Sequence, residues 1–392
     1  MDNPTPSRVL TRGTLYAMAL ATGLAVANIY YNQPMLGIMS RDLHAGAVER
    51  WIPTLTQLGY AAGLLFLVPL GDALERRRLI VVQFVVLAIA MAAAALSPGL
   101  ATLAVASVLV GAMATAAQQI VPFAAILAEP SKRGAAVGTV MSGLLTGILL
   151  SRTVAGFVAS AAGWRAMFWL GVPIALMGAV LMRMRLPEHH PTRRVSYGEL
   201  MSSLVALWRR EPLLRRAALT QAVIFASFSA FWTVLALRLE QPPLNLGAAS
   251  AGLFGVVGAV GVAMAPLAGR VADRRGPWRV IAAGALATVL AWVVFALWPT
   301  LAGLIVGVIL LDFGVQIALV SHQHVVYGLH PEFKSRLNTL FMTTMFLGGA
   351  TGSFAAAEVW RQAGWTGVCV LGGGLAAIAL ASRLLHRVPA TH

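Results

Sequence analysis

Gln316 and Gln323 follow Asp312 by four and eleven residues in the stretch LLDFGVQIALVSHQH (310–324), and about a dozen apolar or small residues precede the acid. Offsets of four and eleven place all three polar side chains on one narrow stripe of a helix. A carboxylate flanked by amides can carry a proton or hold the polar end of a ligand, provided the stripe faces water or a partner. The competing reading is a structural carboxylate bonded across helices. Arg152 is the one basic residue inside a comparably apolar stretch. It can pair with Asp312, bind an anionic group, or snorkel toward headgroups.

Other polar or aromatic residues in apolar surroundings are candidates for the same site. The segment NIYYNQP supplies Asn32 and Gln33 for ligand contact, with Tyr31 beside them. Adjacent tyrosines point in different directions, so at most one of Tyr30 and Tyr31 should face a cavity. Gln57, Gln118 and Gln119 either line that cavity or join helices. Phe231 and Trp232 offer stacking surface for a flat or apolar ligand, or simple packing. His322 and His324 are two apart and do not share a helix face, so no metal site is expected. A phosphate-cradling glycine loop is missing, as is any Ser/His/Asp or Cys/His set. An enzyme is not expected, nor a cofactor.

The elements that must position these residues follow from composition. The chain has 392 residues, 58% of them apolar and 11% charged, with a mean hydropathy of +0.78. Soluble domains carry about 25% charged residues, so this chain calls for a lipid solvent. Apolar runs of about 18 to 25 residues mark membrane-crossing helices. Twelve are predicted, near 13–39, 50–71, 79–97, 99–121, 134–160, 164–183, 214–238, 247–269, 278–298, 300–322, 336–357 and 364–383. An N-terminal signal peptide, with AVA (25–27) as its cleavage site, competes for the first run. That run is too long for one, and further runs follow it. The single cysteine, Cys369, permits no disulfide within the chain.

With twelve crossings both termini share a side. Of the 29 Lys and Arg residues, 23 fall in segments on that side and five in the opposite loops (Arg41, Arg50, Arg165, Arg238, Arg361). This asymmetry predicts cytoplasmic termini. It also accounts for the net charge of +15 without nucleic acid, and it suits contact with anionic headgroups. The polar segment 186–213 divides the chain into an N-terminal bundle (1–185) and a C-terminal bundle (214–392). Within it, SYGELMSSLVALWRR forms either a short amphipathic helix on the membrane face or a solvated linker.

A shift of 201 residues superposes chemically distinctive positions: Gly46 on Gly247, Asp72 on Asp273, Arg78 on Arg279, Pro130 on Pro331, Gly147 on Gly348 and Gly163–Trp164 on Gly364–Trp365. Tyr30–Tyr31 falls on Phe231–Trp232 in the same register. Apolar coincidences are cheap in this composition, whereas Asp, Arg, Pro and Trp at one constant offset are not. Six is even, so the halves insert in the same orientation, as parallel repeats. The cleft between them is the natural substrate site.

On these residues the chain resembles the major facilitator superfamily. The loop GRVADRRGPWR (269–279) is similar to the family's G-x-x-x-D-R-x-G-x-x-R signature, carried by Gly269, Asp273, Arg274, Gly276 and Arg279. The first-half copy, VPLGDALERRR (68–78), keeps Asp72 and Arg78 but has Val68 and Glu75 in place of the glycines. Acid and base at a helix end can latch two helices in one conformation; the plainer reading is charge that sets topology. The run GLLTGILLSRTVAGFV (143–158) resembles an antiporter pattern, with Gly147, Ser151, Arg152, Ala155 and Gly156 at its key positions and Gly143 one turn before. Arg152 stands where that pattern has proline. Ser107 and Val110 stand where proton-coupled exporters of the family show Arg and Gln.

Residues and resemblance together predict an all-α membrane protein of twelve transmembrane helices in two parallel six-helix repeats. The expected activity is alternating-access transport of a small molecule, with export against proton entry favoured. Uptake of a small organic anion clamped by Arg152 is the alternative, and a non-transporting receptor or scaffold a remote third. A monomer in a bacterial inner membrane is expected.

Overall fold

Most of the helix breaks fall where the sequence cannot continue a helix. Gly163 (φ 81°) and Gly364 (φ 57°) both adopt left-handed backbone, which costs glycine least. They are 201 residues apart, and each is followed by tryptophan at the start of a crossing. The computed structural model describes residues 10–43, 51–190, 196–263, 276–330 and 333–385. They form helices throughout, with no strand among the described residues.

Ten helical stretches are long and apolar enough to cross a membrane, and Ala248–Ala263 is a shorter apolar one. The last of the ten, Lys334–Leu385, is divided at Gly364, so the described residues supply twelve crossings. Three differ from expectation. The first is broken, as helices Arg12–Ala27 and Asn32–Leu43. The Asn28 side chain donates to the carbonyls of Leu24 (2.7 Å) and Ala25 (3.0 Å), taking acceptors that the helix ladder would use. The fourth runs to Leu127 rather than 121 and is interrupted at Thr115, ahead of Pro122, which has no N–H to give the ladder. The tenth runs to Leu329 rather than 322, so His322 and His324 lie within a helix and not at its end. Residues 264–269, expected to complete the eighth crossing, lie outside the described residues. The linker forms the helix Tyr197–Arg210, with Ser196 and Glu199 closing a reciprocal cap.

Close helix contacts repeat with the sequence. A Cβ on Gly147 would lie 2.3 Å from the Gly23 carbonyl, and one on Gly348 would lie 2.3 Å from that of Ala222. The first crossing therefore meets the fifth backbone to backbone, as the seventh meets the eleventh. Small residues permit this approach in lipid, where van der Waals packing drives association. The Cβ of a residue replacing Gly143 would likewise meet the Ala19 carbonyl at 2.1 Å.

Candidate functional site

One cavity of about 400 Å³ lies where the first, second, fourth and fifth crossings meet the seventh, tenth and eleventh. Its wall is mainly apolar, with Met141, Leu144, Phe225, Phe228, Met345 and Phe346 among its residues. Asp312 and Arg152 are both part of that wall, and both are nearly buried, at 6% and 2% exposure. Gln316, Gln323 and Gln118 line it as well, so the predicted stripe on the tenth crossing does face a shared cavity. Asp312 to Tyr327 spans about 22 Å at 1.5 Å per helical residue, and Tyr327 and Asn338 line the far end.

Arg152 is held on three sides. Its guanidinium carbon lies 3.9 Å from the Trp232 ring centroid and 4.5 Å from that of Tyr30. One ring comes from each half of the chain. Its Nε donates to Gln33 Oε1 at 2.9 Å. Snorkelling is excluded, because the group stacks inside the protein. No direct ion pair joins Arg152 to Asp312 among the described residues; the acid is within electrostatic reach of Arg152 and lies beside the Trp232 indole N–H. Arg152 Nη2, Trp232 Nε1 and Asp312 Oδ2 are all buried without a protein hydrogen-bond partner.

Asp312 occupies the position that matches Gly111 in the 201-residue register. A Cβ on Gly111 would strike the Thr56 carbonyl at 1.9 Å, because the second and fourth crossings touch there. The second half makes room differently. Gly258, which matches Gln57, faces Asp312, and a Cβ on it would lie 3.1 Å from Asp312 Oδ1. The bulky polar residue and the glycine have exchanged crossings between the halves.

Several expected ligand contacts are scaffold. Asn32 donates to Thr56 Oγ1 at 2.8 Å, and Gln33 serves Arg152. Tyr31 is buried off the cavity, and Tyr30 takes its place on the wall. Gln57 accepts from Ser229 across the halves at 3.3 Å. Gln119 donates to the carbonyls of Leu67 (2.8 Å) and Val68 (3.1 Å), while Gln118 reaches the Tyr60 hydroxyl at 3.1 Å. Phe231 stacks on Phe295 at 4.4 Å, away from the cavity. Ser151 is satisfied by the Ile148 carbonyl. Gly156 packs against the eighth crossing, where a Cβ would meet the Ala248 carbonyl at 2.4 Å. His322 is hydrogen-bonded to Gln221 (2.9 Å) in the core.

The first-half loop pairs differently from expectation. Asp72 accepts from Arg76 at 2.8 Å, not from Arg78, whose side chain is exposed. Arg76 is buried because it also donates to the Gly71 carbonyl and lies over Phe123. Glu75, in place of the motif glycine, caps the next helix through the N–H groups of Arg77 and Arg78. Its φ of −62° explains why no glycine is required, whereas Gly276 in the second half sits at φ 83°. Burial opposes ionisation of Glu75, but N–H groups of His189, Arg78 and Arg77 outweigh it and hold the carboxyl below its usual range. Arg279 is exposed; Gly269, Asp273 and Arg274 lie outside the described residues.

Beyond Arg152, on the side away from the linker, the halves touch directly. Arg41 pairs with Glu240 at 2.8 Å and Trp51 donates to Glu358 at 3.1 Å. Thr54 donates to Ser353 at 3.0 Å, and Thr153 to the Gly252 carbonyl at 3.0 Å. The cavity is thus shut at the Arg41 end and extends toward the linker end.

A family model described as Major Facilitator Superfamily matches residues 18–353 and 217–392. The chain belongs to the Major Facilitator Superfamily. It is 42% identical over 380 residues to the uncharacterized transporter YgaY of Escherichia coli, covering 96% of each chain. It is 35% identical over 377 residues to the transporter SCO4007 of Streptomyces coelicolor, covering 94% of this chain and 86% of that one. Among solved structures, a bacterial homologue of the lysosomal transporter Spinster, inward-facing and unoccupied, superposes with a TM-score of 0.72 at 14% identity, over 99% of this chain and all of that one. This superfamily member is a multi-pass membrane transporter, not an enzyme.

Proposed function

We propose that this chain exports small, largely apolar compounds in exchange for protons, with Asp312 as the proton carrier and Arg152 as the fixed charge beside it. The observation that carries the reading is the placement of both charges on the wall of one apolar cavity between the halves. An ionised carboxylate in mid-bilayer costs about 2.5 to 3.5 kcal/mol on insertion scales, and taking a proton removes that cost. A proton and a ligand can therefore compete for one site. The excess of Lys and Arg at the linker end supports a cytoplasmic placement of that end, so this conformation would receive ligand from the cytoplasm. The halves 1–185 and 214–392, joined by 186–213, would rock about the site, and breaking Arg41–Glu240 and its neighbours would open the other side.

The test is a thermal-shift screen of purified protein against hydrophobic amines, neutral compounds and carboxylates at pH 5.5 and pH 8. Ligands raise apparent stability by mass action. Stabilisation by a non-anionic compound that weakens at low pH, and loses that pH dependence in Asp312→Asn, is expected. Stabilisation by carboxylates alone would instead support a second reading, uptake of a small organic anion. That reading has the unpartnered Arg152 Nη2 in its favour, and it requires anion binding to vanish in Arg152→Ala.

A further inference from the structure

Three polar atoms at the closed end of the central cavity, Arg152 Nη2, Trp232 Nε1 and Asp312 Oδ2, are buried without a protein hydrogen-bond partner. They belong to one cluster. A Cβ on Gly255 would lie 3.2 Å from Arg152 Cβ, and one on Gly258 would lie 3.1 Å from Asp312 Oδ1. Residues three apart on a helix are about 5 to 6 Å apart at Cβ, so the two charged residues flank one face of the eighth crossing a single turn apart. Trp232 stacks on the guanidinium while its N–H lies beside the acid. The cluster therefore offers one anionic acceptor and two donors, one of them cationic.

Packing does not call for these charges. In the 201-residue register Arg152 falls on Ser353 and Asp312 on Gly111, and Ser353 is satisfied by the hydroxyls of Thr54 and Thr233 at 3.0 and 2.8 Å. A buried charge without full pairing is costly. Two opposite charges held apart in an apolar wall, each with a polar atom to spare, suit a ligand better than a scaffold. An aromatic row runs on from them. From Trp232 the ring centroids step 6.1 Å to Phe228, 5.3 Å to Phe225, 5.2 Å to Phe346 and 4.4 Å to Tyr60. All of these rings but Trp232 line the cavity.

Resting on the site described under the proposed function, we propose that its ligand is a zwitterionic amino acid with an aromatic side chain. The carboxylate accepts from Arg152 and Trp232, the ammonium donates to Asp312, and the ring lies along Phe228 and Phe225. Arg152 and Asp312 sum to zero charge, and only a ligand carrying both signs pairs each of them and keeps that sum. An amine would leave Arg152 unpaired beside a second cation. A carboxylate would leave Asp312 beside a second anion. In a low-dielectric pocket such repulsion is large. Charge-assisted bonds at both ends fix the head of the molecule, and stacked or edge-on contacts with the row hold its ring. The ammonium and the proton then compete for the same carboxylate, as an exchange requires.

Full-length protein in a neutral detergent at pH 8 would be melted against concentration series of four probes: L-phenylalanine, phenethylamine (no carboxylate), 3-phenylpropanoate (no ammonium) and glycine (no ring). Phenylalanine should stabilise, and each of the others should bind about tenfold more weakly or worse, for loss of a charged hydrogen bond or of ring burial. Truncating ligand and protein together closes a double-mutant cycle, so Asp312→Asn should bring phenylalanine and 3-phenylpropanoate within about threefold of each other, and Arg152→Gln should do so for phenylalanine and phenethylamine. The comparison on the parent chain stays decisive if a variant does not fold. Phenethylamine or 3-phenylpropanoate binding as tightly as phenylalanine, or no stabilisation by millimolar phenylalanine, would overturn the inference. Binding is read without a proton gradient, so the two readings fail separately. A hydrophobic amine bound where phenylalanine is not removes the amino acid and leaves the exchange standing. Phenylalanine bound, with gradient-driven accumulation untouched in Asp312→Asn, keeps the amino acid and removes the exchange.

Discussion

Arg152 is sandwiched between rings from opposite halves, so the Trp232 ring carries information about how the halves sit. Trp232→Phe keeps a face for the guanidinium and should bind ligand nearly as well as the parent. Trp232→Ala removes a cation–π contact of about 2 kcal/mol and should weaken binding about tenfold or more, read as ligand-induced thermal shift. The loop after the second crossing makes a sharper case. Its register suggests Arg78 as partner of Asp72, while the fold gives that role to Arg76. Arg76→Ala should cost about 2 kcal/mol, the worth of charged hydrogen bonds, and Arg78→Ala within ~0.5 kcal/mol of nothing; thermal melting in detergent separates them. Asp312, Gln316 and Arg152 were legible in the sequence because charge and amide in oil are costly and must have a reason. Met345 and Phe346 were not, because an apolar side chain facing a cavity has the same composition as one facing lipid; that one of Tyr30 and Tyr31 faces the cavity was legible, but not which.

At the scale of helices, the sequence carried more. Twelve apolar runs and one constant offset are long-range signals that local ambiguity does not erase, and the left-handed glycines at 163 and 364 restate the repeat in backbone geometry. The break at Asn28–Tyr31 carries no such signal, because a side chain, not a proline or glycine, ends that helix. Glycines that touch backbone can be told from those that do not. Gly143→Val would drive a side chain into the Ala19 carbonyl and should abolish folded yield or lower the melting temperature steeply. Gly138→Ala, with nothing within 4 Å of the added Cβ, should leave yield unchanged and melting slightly raised, as expected where a helix gains alanine for glycine. Size-exclusion profiles and melting curves report both.

For the whole molecule, the proposed exchange requires that the contacts around Arg41 and Glu240 open while the linker end closes. Cysteines at 41 and 240, in a Cys369→Ala background and joined by a short bifunctional reagent, should arrest flux, and a cleavable reagent should restore it on reduction. Full activity with the cross-link in place would mean that this side does not open during turnover. The central claim, that one acid in the shared cavity couples proton to cargo, is tested most directly by comparing two kinds of flux in proteoliposomes, using a ligand found by the screen. Asp312→Asn should retain exchange of labelled for unlabelled ligand while losing accumulation driven by a pH gradient. Accumulation by Asp312→Asn at the rate and level of the parent chain would contradict the account.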